Sequence, residues 1–153
     1  MVHTIEMSHY LSPERVFDLM PLSKDDLFEI MLSKMVQHHA IHDPAAVRKA
    51  IFARERESVT AVGHGIAIPH ARCACVDDFV VAFARVKDGM EYGNDDGEAV
   101  RIVFMIVASD HQDKEYIKLL SRLMLRLRNT EFIAELLNAP NTETMFKLLK
   151  SSR

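Results

Sequence analysis

Ten residues, Ala99 to Ala108, constrain this chain more than any other stretch, because all but Arg101 are apolar. A run rich in β-branched and aromatic residues with no polar alternation predicts a strand buried on both faces. Such a strand needs helices on each side of it. The run is half the length of about 20 residues that a membrane-spanning helix requires.

The flanking sequence supplies the helices. Ser23 is a good N-cap before Leu27, Ile30, Met31 and Met35 at helical spacing. Asp43-Pro44 starts a second helix with Val47, Ala50 and Ile51 on one face, running toward Arg54. From Val59 to Pro69, Gly63 and Gly65 punctuate small and β-branched residues, which predicts extended chain with turns. Residues 79–86 predict a strand, and Lys87-Asp88-Gly89 a turn after it. Tyr116, Leu120, Leu123, Met124 and Leu127 return to helical period. Thr130 is placed to cap a short helix ending before Pro140, and Thr142 to start a last one. Helices first, strands in the middle and helices at the end give an α/β fold: a mixed β-sheet covered by α-helices, as a single compact domain over residues 1–153.

Charge narrows the function classes. Nineteen Lys and Arg stand against 22 Asp and Glu, a net of −3. This argues against a basic nucleic-acid binder and a polybasic membrane anchor. Met1 to Glu6 has neither the basic start nor the apolar stretch of a signal peptide, so the expected location is cytoplasmic, without membrane insertion. Cys73 and Cys75 are too close together to staple a fold, and nothing nearby completes a zinc site of usual spacing.

The most unusual segment is Gly63-His64-Gly65-Ile66-Ala67-Ile68-Pro69-His70-Ala71-Arg72. Proline fixes its own φ and restricts its predecessor, so the backbone presenting His70 is stiff. Imidazole can carry a phosphoryl group as a covalent intermediate. A strand-end histidine with a structural hydrogen bond has the same spacing.

Gly-x-Gly-Ile-Ala-Ile-Pro-His-Ala resembles the active-site motif of the IIA domains of the fructose/mannitol class in the bacterial sugar phosphotransferase system, which includes stand-alone nitrogen-regulatory proteins. Arg54-Glu55 followed by Thr60, Asp96-Gly97, and Tyr116-Ile117-Lys118-Leu119-Leu120 are similar to other blocks of that family, in the same order. The resemblance implies that His70 accepts a phosphoryl group from a histidine-phosphorylated carrier protein. His70 would then pass it to a sugar-specific component or hold it as a signal to a regulatory target protein. It also implies that Arg54 is the active-site arginine. A guanidinium fork can meet two phosphoryl oxygens at once, and Arg56 and Arg72 are reserves for that role. Thr60 could donate its hydroxyl to phosphate. His64 and Gly65 would neighbour the site, with backbone amides near Gly65 completing the pocket.

One position departs from the family. Members carry a second histidine at the start of the helix after the buried strand, where this chain has Tyr116. A tyrosine donates a hydrogen bond but is no cation near neutral pH. His111, five residues earlier, is an alternative that could reach the site. This departure favours a second reading, a regulatory binding module that acts by docking to partner proteins. No metal or other cofactor is implied. His38 and His42 are spaced i, i+4 and could share a helical face as metal ligands. They read better as histidines favoured by a helix C-terminus.

Overall fold

The computed structural model describes residues 6–151. Two short 3-10 turns, Met7–Tyr10 and Pro13–Arg15, lead into strand β1, Val16–Leu19. Helices α1 (Lys24–Met35) and α2 (Pro44–Glu57) follow. Four strands come next: β2 (Ala61–Gly63), β3 (Ile66–Ala67), β4 (His70–Cys73) and β5 (Val80–Met90). Strand β6 (Val100–Ser109) precedes α3 (Asp113–Arg126), α4 (Thr130–Asn138) and α5 (Thr142–Lys150).

The caps follow local chemistry. Ser23 Oγ accepts the Asp26 N–H at 3.1 Å, and Asp43 Oδ1 accepts the Ala46 N–H at 3.2 Å with Pro44 at the first helical position. The cap of α4 is Asn129, whose carboxamide oxygen accepts the Phe132 N–H, and not Thr130, which is the first helical residue. Asn has the shorter reach to a first-turn amide and the better cap propensity.

Six strands form one mixed sheet, with β1, β5, β6, β3 and β2 in order. The β5–β6 pair is antiparallel, β1 runs parallel to β5, and β3 runs parallel to β6. Strand β4 also pairs parallel with β6, further along it, so that His70 lies opposite Ile106.

The strand predicted to be enclosed is enclosed. Val103, Met105 and Val107 of β6 join the cluster under α1 and α2, with Leu27, Phe28, Met31, Val47 and Ile51. Ile102, Phe104 and Ile106 join the opposite cluster, with Leu119, Leu123, Phe132, Leu136, Met145 and Leu149. Alternate residues point to opposite faces, so two helical layers are needed to remove the strand from water.

Three further expectations are corrected. Helices do not come first: β1 precedes them, paired in parallel with residues 83–86, far away in sequence. Lys87-Asp88-Gly89 is no terminal turn: β5 runs through it to Met90 as a bulge, with Asp88 at φ 64° and Gly89 at φ 79°. The His38/His42 helical face does not form, because α1 ends at Met35 and the chain turns through residues 36–42. His38 instead accepts the Ala40 N–H, and His42 pairs with Asp77.

Among the described residues, no helix is long and apolar enough to cross a membrane.

Candidate functional site

Ile66 and Ile68 point into the α3–α5 side of the sheet while Ala67 and Ala71 point to the α1–α2 side. Strand alternation therefore places His70 and Arg72 on the α3 side of β4. There the His70 ring lies 6.0 Å, centroid to centroid, from the ring of Tyr116 on the second turn of α3. The Arg72 guanidinium sits over that same ring, 5.4 Å from its centroid.

The tautomer of His70 follows from one contact. Its Nδ1 is 2.6 Å from the Ile68 carbonyl oxygen, which can only accept, so Nδ1 carries the proton. Pro69 stiffens the short loop between donor and acceptor. Nε2 keeps its lone pair. Burial pushes the imidazole below its ordinary range, and the Arg54 charge adds to that. The Ile68 hydrogen bond and Glu55 oppose the shift. The result is a neutral ring with a nucleophilic nitrogen near pH 7.

Arg54, in the last turn of α2, is the second element. Its Nη1 donates to the Ser58 carbonyl and hydroxyl, both at 3.2 Å. Nε and Nη2 have no partner among the described residues, which leaves them available to an anion. The Arg54 charge is felt at both His70 and Tyr116. Burial lifts the Tyr116 hydroxyl to about 12 against the pull of Arg72 and Arg54, so it is a neutral donor.

Other candidates fall elsewhere. The Thr60 hydroxyl is buried and donates to Glu55 at 2.6 Å, with the Tyr92 hydroxyl 2.8 Å away. A proton committed to a buried carboxylate is not offered to phosphate. Gly65 approaches a neighbour rather than a ligand: a Cβ there would lie 3.1 Å from the Ala99 carbonyl. Its own carbonyl accepts from Arg101 and Ile102, while His70 sits beside Ile106. Four residues of β6, about 13 Å, separate them. The amides near Gly65 therefore lie away from the imidazole. His64 is exposed at φ 57° and lines a separate groove with Met124, Leu127 and Ile133. The His111 side chain is 87% exposed and pairs with Asp110, not with the His70 cluster.

Sequence reasoning quoted Glu55 as part of a motif but gave this buried group no role. Glu55 accepts from Thr60 N–H at 3.1 Å and Lys24 Nζ at 3.0 Å, besides the Thr60 hydroxyl, and the Tyr92 hydroxyl donates to it at 3.3 Å. It ties the end of α2, next to Arg54, to the chain entering β2. Tyr92 and Lys24 are distant in sequence, so no local signal joins them.

The family described as phosphoenolpyruvate-dependent sugar phosphotransferase system, EIIA 2, matches residues 9–152. The chain is 34% identical over 126 residues to the fructose-specific EIIABC component of Bacillus subtilis, covering 82% of this chain but only 20% of that protein. It is 31% identical to the fructose-specific EIIA component of Haloferax volcanii, covering 84% of each. The crystal structure of the nitrogen regulatory protein IIA-Ntr from Neisseria meningitidis superposes with a TM-score of 0.84 at 26% identity, covering 94% of this chain and 98% of that one.

Proposed function

Because the chain belongs to the phosphoenolpyruvate-dependent sugar phosphotransferase EIIA 2 family, we propose that it is a phosphoryl carrier whose acceptor is Nε2 of His70. The donor is a histidine-phosphorylated carrier protein. The recipient is a sugar-specific component, or the phosphorylation state is read by a regulatory target. Residues 1–153 act as one domain, in the cytoplasm.

One observation carries this function: the Ile68 carbonyl fixes the proton on Nδ1, leaving Nε2 unprotonated on a ring that feels the Arg54 charge. In the transfer, the Nε2 lone pair forms the new N–P bond as the N–P bond on the carrier's histidine breaks. The electron pair of the broken bond returns to the carrier's ring nitrogen. Nδ1 keeps its proton, so the His70 ring becomes cationic while the carrier's protonated ring becomes neutral. The Ile68 carbonyl receives the more polarised N–H. Arg54 meets charge on the equatorial oxygens, and the Tyr116 hydroxyl donates one further hydrogen bond.

Incubation with a phosphorylated carrier protein, followed by intact-mass measurement, tests this directly. The expected gain is about 80 Da, one phosphoryl group, labile in acid and absent in His70→Ala. A gain that survives His70→Ala assigns the acceptor elsewhere and overturns the proposal. Tyr116 favours a second reading, a docking module with slow transfer, since its neutral hydroxyl supplies no cation. Under that reading Tyr116→His accelerates transfer strongly; under the first it equals wild type or exceeds it slightly.

A further inference from the structure

The start of α3 is held in an unusual way. Its N-cap, Gln112, makes no capping bond of its own, and its amide instead bridges Asp78 and the Ser109 N–H. The Asp110–Asp113 side is held from β4: Arg72 Nη2 donates to the Asp110 carbonyl at 2.8 Å and to the Asp113 carboxylate. Arg72 is two residues beyond His70 on the same face of the strand, so their Cα atoms lie about 7 Å apart. An arginine stem spans that distance, and the guanidinium already rests on the Tyr116 ring that neighbours the His70 imidazole.

Charge decides where the guanidinium goes. Asp113 is an exposed single negative charge, 73% accessible, and an exposed pair of this kind is weak. A phosphoryl group on Nε2 of His70 would carry nearly two negative charges and three acceptor oxygens on the same face, and guanidinium–phosphate contacts are among the strong ones. We propose that Arg72 is a state-dependent clamp. With His70 unmodified it holds the start of α3 through Asp113 and the Asp110 carbonyl; with His70 phosphorylated it turns onto the phosphoryl group and releases that segment. The phosphorylation state is then written into the first turn of α3, on the surface surrounding the site. This rests on His70 being the phosphoryl acceptor.

Amide hydrogen exchange reads the clamp. The first N–H groups of a helix are unbonded in any case, so the reporter is Tyr116 N–H, which donates to the Gln112 carbonyl at 2.8 Å. Phosphorylation of wild type should speed its exchange about tenfold, with β5 and β6 unchanged. Arg72→Met keeps an apolar stem on the Tyr116 ring but loses the donors. Tyr116 N–H should then exchange fast in both states, and phosphoryl uptake should slow about tenfold. Asp113→Asn removes the charged half of the hold on Arg72, leaving the Asp110 carbonyl, and should raise the uptake rate severalfold, an effect that a purely structural ion pair would not produce. Unchanged Tyr116 exchange in a chain whose mass shows uptake overturns the clamp and leaves the carrier function standing. Exchange in Arg72→Met that still changes with phosphorylation overturns it as well. Absence of any uptake by wild type overturns both.

Discussion

Two arginines, Arg85 on strand β5 and Arg54 in the last turn of α2, use the same side chain for opposite purposes. Arg85, in β5, is buried and has every nitrogen occupied. Nε and Nη2 fork onto the two oxygens of Asp18 at 3.1 and 2.8 Å, while Nη1 reaches the carbonyls of Leu136, Leu137 and Ala139. It joins β1, β5 and the C-terminus of α4 in one knot. Arg54 holds Ser58 through one nitrogen, its other nitrogens have no partner among the described residues, and its charge reaches His70. A guanidinium with every donor occupied by its own protein fixes the fold. One with donors left over can meet a substrate, at the cost of holding its own chain less firmly.

The largest expected effect breaks the first half of that contrast. Arg85→Met leaves the Asp18 carboxylate and three helix-end carbonyls without their partner and should lower stability by about 3–5 kcal/mol, read by urea unfolding. Phosphoryl uptake per folded molecule should be unchanged; a large loss of uptake would mean that the Arg85 knot and the His70 site are coupled. Arg54→Lys sharpens the second half. It should slow transfer by about 10- to 1000-fold, because lysine lacks the fork, while the unfolding midpoint hardly moves. An unchanged rate would hand the role to Arg56 or Arg72. The smallest effect is electrostatic. His70 should titrate below the ordinary 6.5 in an NMR titration, since burial and Arg54 both lower it. Acceptance should therefore persist at full rate below that pH and fall only where the ring becomes protonated. Removing a cation raises a neighbouring imidazole, so Arg54→Gln should move the midpoint upward by a few tenths of a unit. A midpoint that moves down instead would show that Arg54 acts on His70 through structure and not through charge. The sign also holds for stability: the depressed imidazole favours folding above 6.5, and that contribution is lost as the pH falls below it.

The sequence made some of this legible and hid the rest for physical reasons. The Ala99–Ala108 run foretold a doubly covered strand, because enclosure on both faces removes polar alternation and leaves a pattern anyone can read. The Pro69-His70 step stood out as an unusual motif, and Arg54 was singled out by the resemblance of its block to the family's. Strand β1 was hidden, since Val16–Leu19 is short, contains Asp18, and exists only through pairing with residues 67 positions later. The Gly63–Gly65 turn misled in the other direction. Glycine spacing signals close approach but does not say to what, and here it is the Ala99 carbonyl. Thr60 carried the right chemistry and the wrong partner, because Glu55 takes its hydroxyl from inside the fold.

The parallel pairings set the order in which the molecule can be made. Strand β1 has no partner until β5 is synthesised, β4 has none until β6 follows, and β3 has only the short β2 beside it until then. On a ribosome adding about 5–20 residues per second, the apolar faces of α1 and α2 wait several seconds for the strands that will cover them. His70 itself is translated well before Ile106, the residue that seats it. Contacts this distant in sequence are slow to close, so the nascent chain is most exposed to aggregation and to chaperones in the interval before residue 109 emerges. Synonymous changes that slow translation between β4 and β6 would lengthen that interval without altering a single residue of the finished protein.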